Sequence, residues 1–154
     1  MNVKSEFFKI TRIYPVHLTN RLSDRYIRRD MVFTQMGNKV FDNHNLLNIL
    51  LKKINDWLKL EQGEFTYVLA GYIYYLKEDF LKAEKYFLKA AGENPQNLDN
   101  WLDLAFSLYH QGDKKNRLAK KILFNFDYCV NFFSSGNYKN ISRKLLETAL
   151  KKLD

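Results

Sequence analysis

The chain has 154 residues, 46% of them hydrophobic and 16% aromatic, enough apolar material to build a core and to exclude wholesale disorder. Six glycines and two prolines are few, which argues against a turn-rich β fold. The net charge of +8 sits at the ends: residues 1–42 carry eight Lys/Arg against four Asp/Glu, 43–97 seven of each, and 98–154 ten against six.

The N-terminal residues carry Lys4, Glu6, Lys9 and Arg12, so no apolar signal-peptide core is expected there. No apolar run approaches the roughly 18–20 residues that cross a bilayer, so no membrane span is expected. Cys129 is the only cysteine, which precludes an internal disulfide and fits a reducing, cytoplasmic location. Residues 1–42 lack clear periodicity and read as an irregular N-terminal extension, with one short helix near Leu22–Phe33. Within it, Phe7, Phe8, Ile10, Ile13, Tyr14 and Val16 form an apolar segment with no helical period. That segment is expected to cover apolar surface elsewhere.

From Leu46 the pattern changes. Leu46, Leu47, Leu50, Leu51, Ile54, Trp57 and Leu58 recur at three- and four-residue steps, which predicts an amphipathic helix ending at Gly63. A second helix carries Phe65, Val68, Leu69, Tyr72, Tyr75 and Leu76. A third starts after Asp79, a good N-cap, and runs through Phe80, Ala83, Phe87 and Ala90 to Gly92, with Pro95 beyond it. A fourth begins near Asn97 and Asp99, carries Trp101, Leu104, Ala105 and Leu108, and ends at Gly112. The fifth is expected to be long, with Leu118, Ile122, Leu123, Phe126, Val130 and Phe133 on one face over about twenty residues. After the break at Ser134–Asn137, a last helix uses Tyr138, Ile141, Leu145, Leu146, Ala149, Leu150 and Leu153. The domain from residue 43 to 154 is therefore expected to be all-α.

Gly71 and Tyr74, followed by Ala83, Phe87 and Pro95, resemble the tetratricopeptide repeat, whose 34-residue pattern is W-x₂-L-G-x₂-Y, A-x₃-F and P. Tyr67 stands at the Trp position and Ala70 at the Leu position. Shifting by 34 residues brings Tyr67 onto Trp101 and Gly71 onto Ala105, the start of a second repeat. The second half of that repeat departs from the pattern. Arg117 stands where a small residue is expected and Lys121 where an aromatic is expected, so a displaced helix with Ala119 at the close contact is predicted. The resemblance implies a right-handed array of antiparallel helical hairpins. It also implies a concave groove lined by the first helix of each hairpin.

Carried onto this chain, the groove would be lined by Phe65, Val68, Tyr72, Tyr75, Leu76, Leu102, Phe106 and Tyr109. Members of the family that clamp carboxylate peptide ends use Lys, Asn and Arg at such positions, which this chain replaces by Val68, Tyr72, Leu102, Asp103 and Phe106. The groove is thus expected to be aromatic and suited to an apolar peptide or helix. A basic patch of Lys114, Lys115, Arg117, Lys120 and Lys121 is the second candidate site, for RNA or another polyanion. Arg21, Arg25, Arg28 and Arg29 would add to it if the extension folds alongside.

His17, His44 and His110 are scattered with no partner at metal-ligand spacing, and no phosphate-binding loop occurs, so neither catalysis nor a cofactor is expected. The sequence points first to a non-enzymatic adaptor or chaperone-like module. A polyanion-binding protein is one alternative. A self-assembling scaffold, with the groove filled by a neighbouring copy, is the other.

Overall fold

The computed structural model describes residues 44–153. The expected N-terminal extension, its helix near Leu22–Phe33, its arginines and its apolar segment lie outside the described residues. Among those described there are seven helices and no strand: α1 His44–Leu60, α2 Glu64–Leu76, α3 Phe80–Glu93, α4 Leu98–Tyr109, α5 Asp113–Phe124, α6 Phe126–Ser135 and α7 Arg143–Lys151. Consecutive helices from α1 to α5 pack side by side, α6 lies against α4 and α5, and α7 lies on α5. The all-α array of packed hairpins is as the sequence predicts.

Burial follows the periodicity. In α1 the core face is Leu47, Leu50, Ile54 and Trp57, at steps of three and four. α2 is buried nearly all round, from Val68 through Tyr74, because α1 covers one side and α3 the other. α3 is amphipathic again, with Ala83, Phe87, Ala90 and Ala91 inside.

The α2–α3 hairpin is set by one close approach. A Cβ on Gly71 would stand under 3.0 Å from the Phe87 ring, which is itself buried. Glycine at this position lets the two helices meet while the aromatic fills the space beside them. Asp79 caps α3, its Oδ1 accepting from the Lys82 amide at 3.2 Å. The turn into α5 needs a different device, Gly112 at φ +96°, a conformation that side chains other than glycine's rarely adopt.

Between α3 and α4 the chain is tied by buried amides. Asn100 is almost fully buried, and its Nδ2 donates to the carbonyls of Ala90 (3.2 Å) and Asn94 (3.4 Å). Trp101 is fully buried, its Nε1 donating to the Pro95 carbonyl at 2.8 Å and its ring lying 5.3 Å from that of Phe133. Asn97 caps α4 and also donates to Glu64 Oε1 at 2.7 Å, joining the starts of α2 and α4.

Two expected boundaries are corrected. The long fifth helix is two helices, broken at Asn125 (φ −134°, ψ 37°). That asparagine closes α5 by donating from Nδ2 to the Lys121 carbonyl at 2.7 Å, while its own carbonyl accepts the Cys129 amide at 3.0 Å to open α6. An unbroken apolar face concealed the break, because the residues on both sides of it remain in one cluster. The last helix starts at Arg143 rather than at Tyr138, since Ser142 is extended and its Oγ accepts the Leu145 amide at 3.1 Å. Tyr138 and Ile141 still pack against the core, but from the connection.

Candidate peptide-binding groove

The residues predicted to line a groove come from the facing helices α2 and α4, and the structure separates them into three groups. Val68 and Tyr72 belong to the core. Tyr72 is buried because its ring meets Phe87 edge-on at 5.5 Å and its hydroxyl donates to the buried carboxylate of Asp103 at 2.9 Å. A buried hydroxyl beside a buried carboxylate satisfies both, and it ties α2 to α4. A ligand passing along the surface therefore does not reach these two side chains, which corrects their expected place in the lining. Phe65, Leu76 and Leu102 are half-buried, and Phe65 packs on Trp57 of α1 with 5.3 Å between ring centres.

The remaining group is the aromatic end of the array. Tyr75 is half-buried, its hydroxyl 2.8 Å from His110 Nε2. The His110 ring stacks on Phe80 with 4.4 Å between centres and meets Tyr109 at a right angle, 5.6 Å away. Phe106 is 36% exposed and Tyr109 50%. Four of these rings thus come from three helices, α2, α3 and α4, with His110 as the hub just past the end of α4. The resemblance pointed to Tyr75 and Tyr109; Phe80 was read as core filler and His110 only as a helix-end residue.

The pattern of exposure has a physical origin. Shifting Tyr72 by one repeat gives Phe106, and shifting Tyr75 gives Tyr109. The first pair is covered by α4 through Asp103 and His110. The second pair faces the position where the following hairpin would stand, and there the short α6 has moved off to pack its Phe133 on Trp101.

The basic patch is less uniform than its sequence suggests. Lys114, Arg117 and Lys120 are exposed, whereas Lys115 and Lys121 are half-buried. Lys115 is committed to the core carboxylate of Glu84, donating to its Oε1 at 2.9 Å. Glu84 is only 5% exposed and also receives Gln111 Nε2 at 3.1 Å and the Arg143 guanidinium at 3.7 Å. This node joins α3, α5 and α7, and sequence reasoning missed it. Its signal was the position of Glu84 three residues before Phe87 and seven before Ala91, on the apolar face of α3.

Among the described residues no group of three or more His, Cys, Asp or Glu side chains is placed to hold a metal ion, and no helix is long and apolar enough to cross a membrane. Cys129 is fully buried, and burial pushes its thiol up to about 12. Comparisons of the chain with family models, with curated proteins and with solved structures give no match.

Proposed function

We propose that the chain is a tetratricopeptide-like, non-enzymatic protein-binding module of the adaptor or chaperone kind. Its ligand is an apolar segment or helix of another protein, received on the aromatic end of α2 and α4. The observation that carries this reading is the exposure of Phe106 and Tyr109 beside the half-buried Tyr75. Aromatic rings with polar tips, grouped on rigid helices, are what apolar peptide anchors pack on, with the hydroxyls and imidazole supplying direction. The repeat reading is supported by the Gly71–Phe87 approach and by the burial of Trp101 and Ala105 one repeat from Tyr67 and Gly71.

The test is selection of binders from a random peptide library on the full chain. Enriched peptides rich in aliphatic and aromatic residues are expected, with binding that tolerates salt. They should be lost when Phe106→Ser and Tyr109→Ser are combined and kept when Lys120→Glu is introduced. If no selected peptide responds to the aromatic substitutions, the reading fails. Deleting residues 1–20 tests whether the apolar N-terminal segment competes for the same rings. Competition would raise peptide affinity and hydrophobic-dye binding, and unchanged values would dispose of that idea.

A further inference from the structure

A second surface lies on the opposite side of α3. Residues 43–97 are neutral in total, with seven cations and seven carboxylates, yet their charges are not evenly placed around the helices. Lys82, Lys85 and Lys89 follow one another at steps of three and four, so they form a single stripe along α3. That stripe is one wall of a cleft of about 720 Å³. The opposite wall is the segment between α6 and α7 and the start of α7, with Lys139, Ile141 and Arg143. Gly92 closes the gap at one end, where a Cβ would stand 3.1 Å from the Lys139 carbonyl oxygen.

The cleft combines two chemistries. Its aliphatic surface comes from Leu81, which is 59% exposed, the half-buried Leu88, and Ile141. Five cations stand around that surface, against the two carboxylates Glu84 and Glu93. Glu84 is neutralised from outside the cleft by Lys115, so the balance remains strongly positive.

The α3 lysines are also held in place. The ammonium of Lys82 lies 5.3 Å from the Tyr74 ring centre, Lys85 lies 5.7 Å from that of Tyr86, and Lys89 lies 5.5 Å from that of Tyr67. Tyr74 and Tyr86 are themselves stacked at 5.5 Å and nearly parallel. The rings support the cations by their faces and leave the ammonium hydrogens for an incoming anion. Among the described residues, no carboxylate lies within ion-pair distance of Lys82, Lys85, Lys89 or Lys139.

We infer that this cleft is a docking site for an acidic segment of a partner protein that carries aliphatic anchors, separate from the aromatic end of the array. Charge complementarity selects the acidic side chains, and Leu81, Leu88 and Ile141 select the aliphatic ones. A nucleic acid meets the charge requirement but not the second, because an aliphatic floor offers no ring on which bases stack. The volume holds a turn or two of peptide and falls within the usual range for ligand clefts, roughly 300–1,000 Å³.

The probe is a fluorescein-labelled peptide of glutamate, aspartate and serine with leucine at every fourth position, titrated into the full chain by anisotropy. Lys85→Glu with Lys89→Glu should weaken binding by about tenfold or more, and the milder pair Lys85→Gln with Lys89→Gln by a smaller factor. Leu81→Ser, at an exposed position, should weaken it about threefold or more with no change in melting temperature. The same peptide with every leucine replaced by serine should bind about tenfold more weakly, while Phe106→Ser should have no effect. Equal binding of the leucine-free peptide would overturn the inference. So would insensitivity to the lysine pairs, or polyuridylate that binds as tightly and responds to the same variants. Loss of peptide binding through Phe106→Ser would assign the peptide to the aromatic end instead.

Discussion

The α2–α3 and α4–α5 hairpins begin in the same register and end in different ones. Shifted by 34 residues, the buried positions of α2 fall on those of α4 almost one for one: Thr66 on Asn100, Leu69 on Asp103, Ala70 on Leu104, Gly71 on Ala105, Ile73 on Ser107 and Tyr74 on Leu108. The second helices do not follow. Ala83 falls on Arg117 and Phe87 on Lys121, yet the residues that α5 buries are Leu118, Ala119 and Ile122. The helix presents a face one residue further round, about 100°. Burying a guanidinium and an ammonium at the close contact would cost more than the rotation does. A 34-residue repeat therefore survives where its contact residues are small or apolar, and it turns where they are charged.

The largest expected effect compares the two residues at the Trp position of the repeat. Trp101→Ala removes a fully buried ring and its bond to the Pro95 carbonyl, at a cost of about 3–5 kcal/mol. Tyr67→Ala, at a half-buried site, should cost roughly 1–2 kcal/mol. Denaturant unfolding of both variants checks this, and equal losses would mean that the two hairpins are not packed as described.

The next effect concerns the seam. Gly71→Leu overpacks the contact with Phe87, at roughly 1–3 kcal/mol or more. A melting temperature within a degree or two of the parent would break the comparison at its strongest point. The Glu84 node probes what joins the hairpins. Glu84→Ala leaves the largely buried Lys115 without its carboxylate and should cost about 1–3 kcal/mol. Adding Lys115→Met should return part of that loss, and a double-mutant cycle with no coupling would remove the node from the account.

Cys129 reports on the broken helix. Its thiol is raised by burial from 9.0 to about 12, so the folded state holds its proton where the unfolded state releases it. Stability should therefore be unaffected by this group below about pH 9 and fall as pH rises from there towards 12. A bulky thiol reagent should label the native chain slowly and the denatured chain at once. Rapid native labelling would show that the α5–α6 corner opens.

The smallest effect sharpens the register. Arg117→Ala should change stability by no more than about 0.5 kcal/mol, since Arg117 is exposed. Ala119→Leu, at the contact that α5 does use, should destabilise clearly. The reverse ranking would restore the unrotated register.

The sequence by itself determined the helices, because a face repeating every three to four residues has to be buried whichever neighbour buries it. Leu47, Leu50, Ile54 and Trp57 state that for α1, and Asp79 and Asn97 mark where α3 and α4 begin. It also determined the close contact at Gly71, since a small residue opposite a large aromatic one is legible at a known spacing. The tertiary structure alone decided which aromatics reach the surface. Tyr72 and Phe106 occupy equivalent positions, but one meets Asp103 of the next helix and the other meets a place that α6 has left. Nor could periodicity show the break at Asn125, because two helices can share one apolar face, or the cleft on α3, because its walls lie about fifty residues apart in the chain. Local pattern records what each segment must hide, whereas exposure depends on which distant segment arrives to cover it.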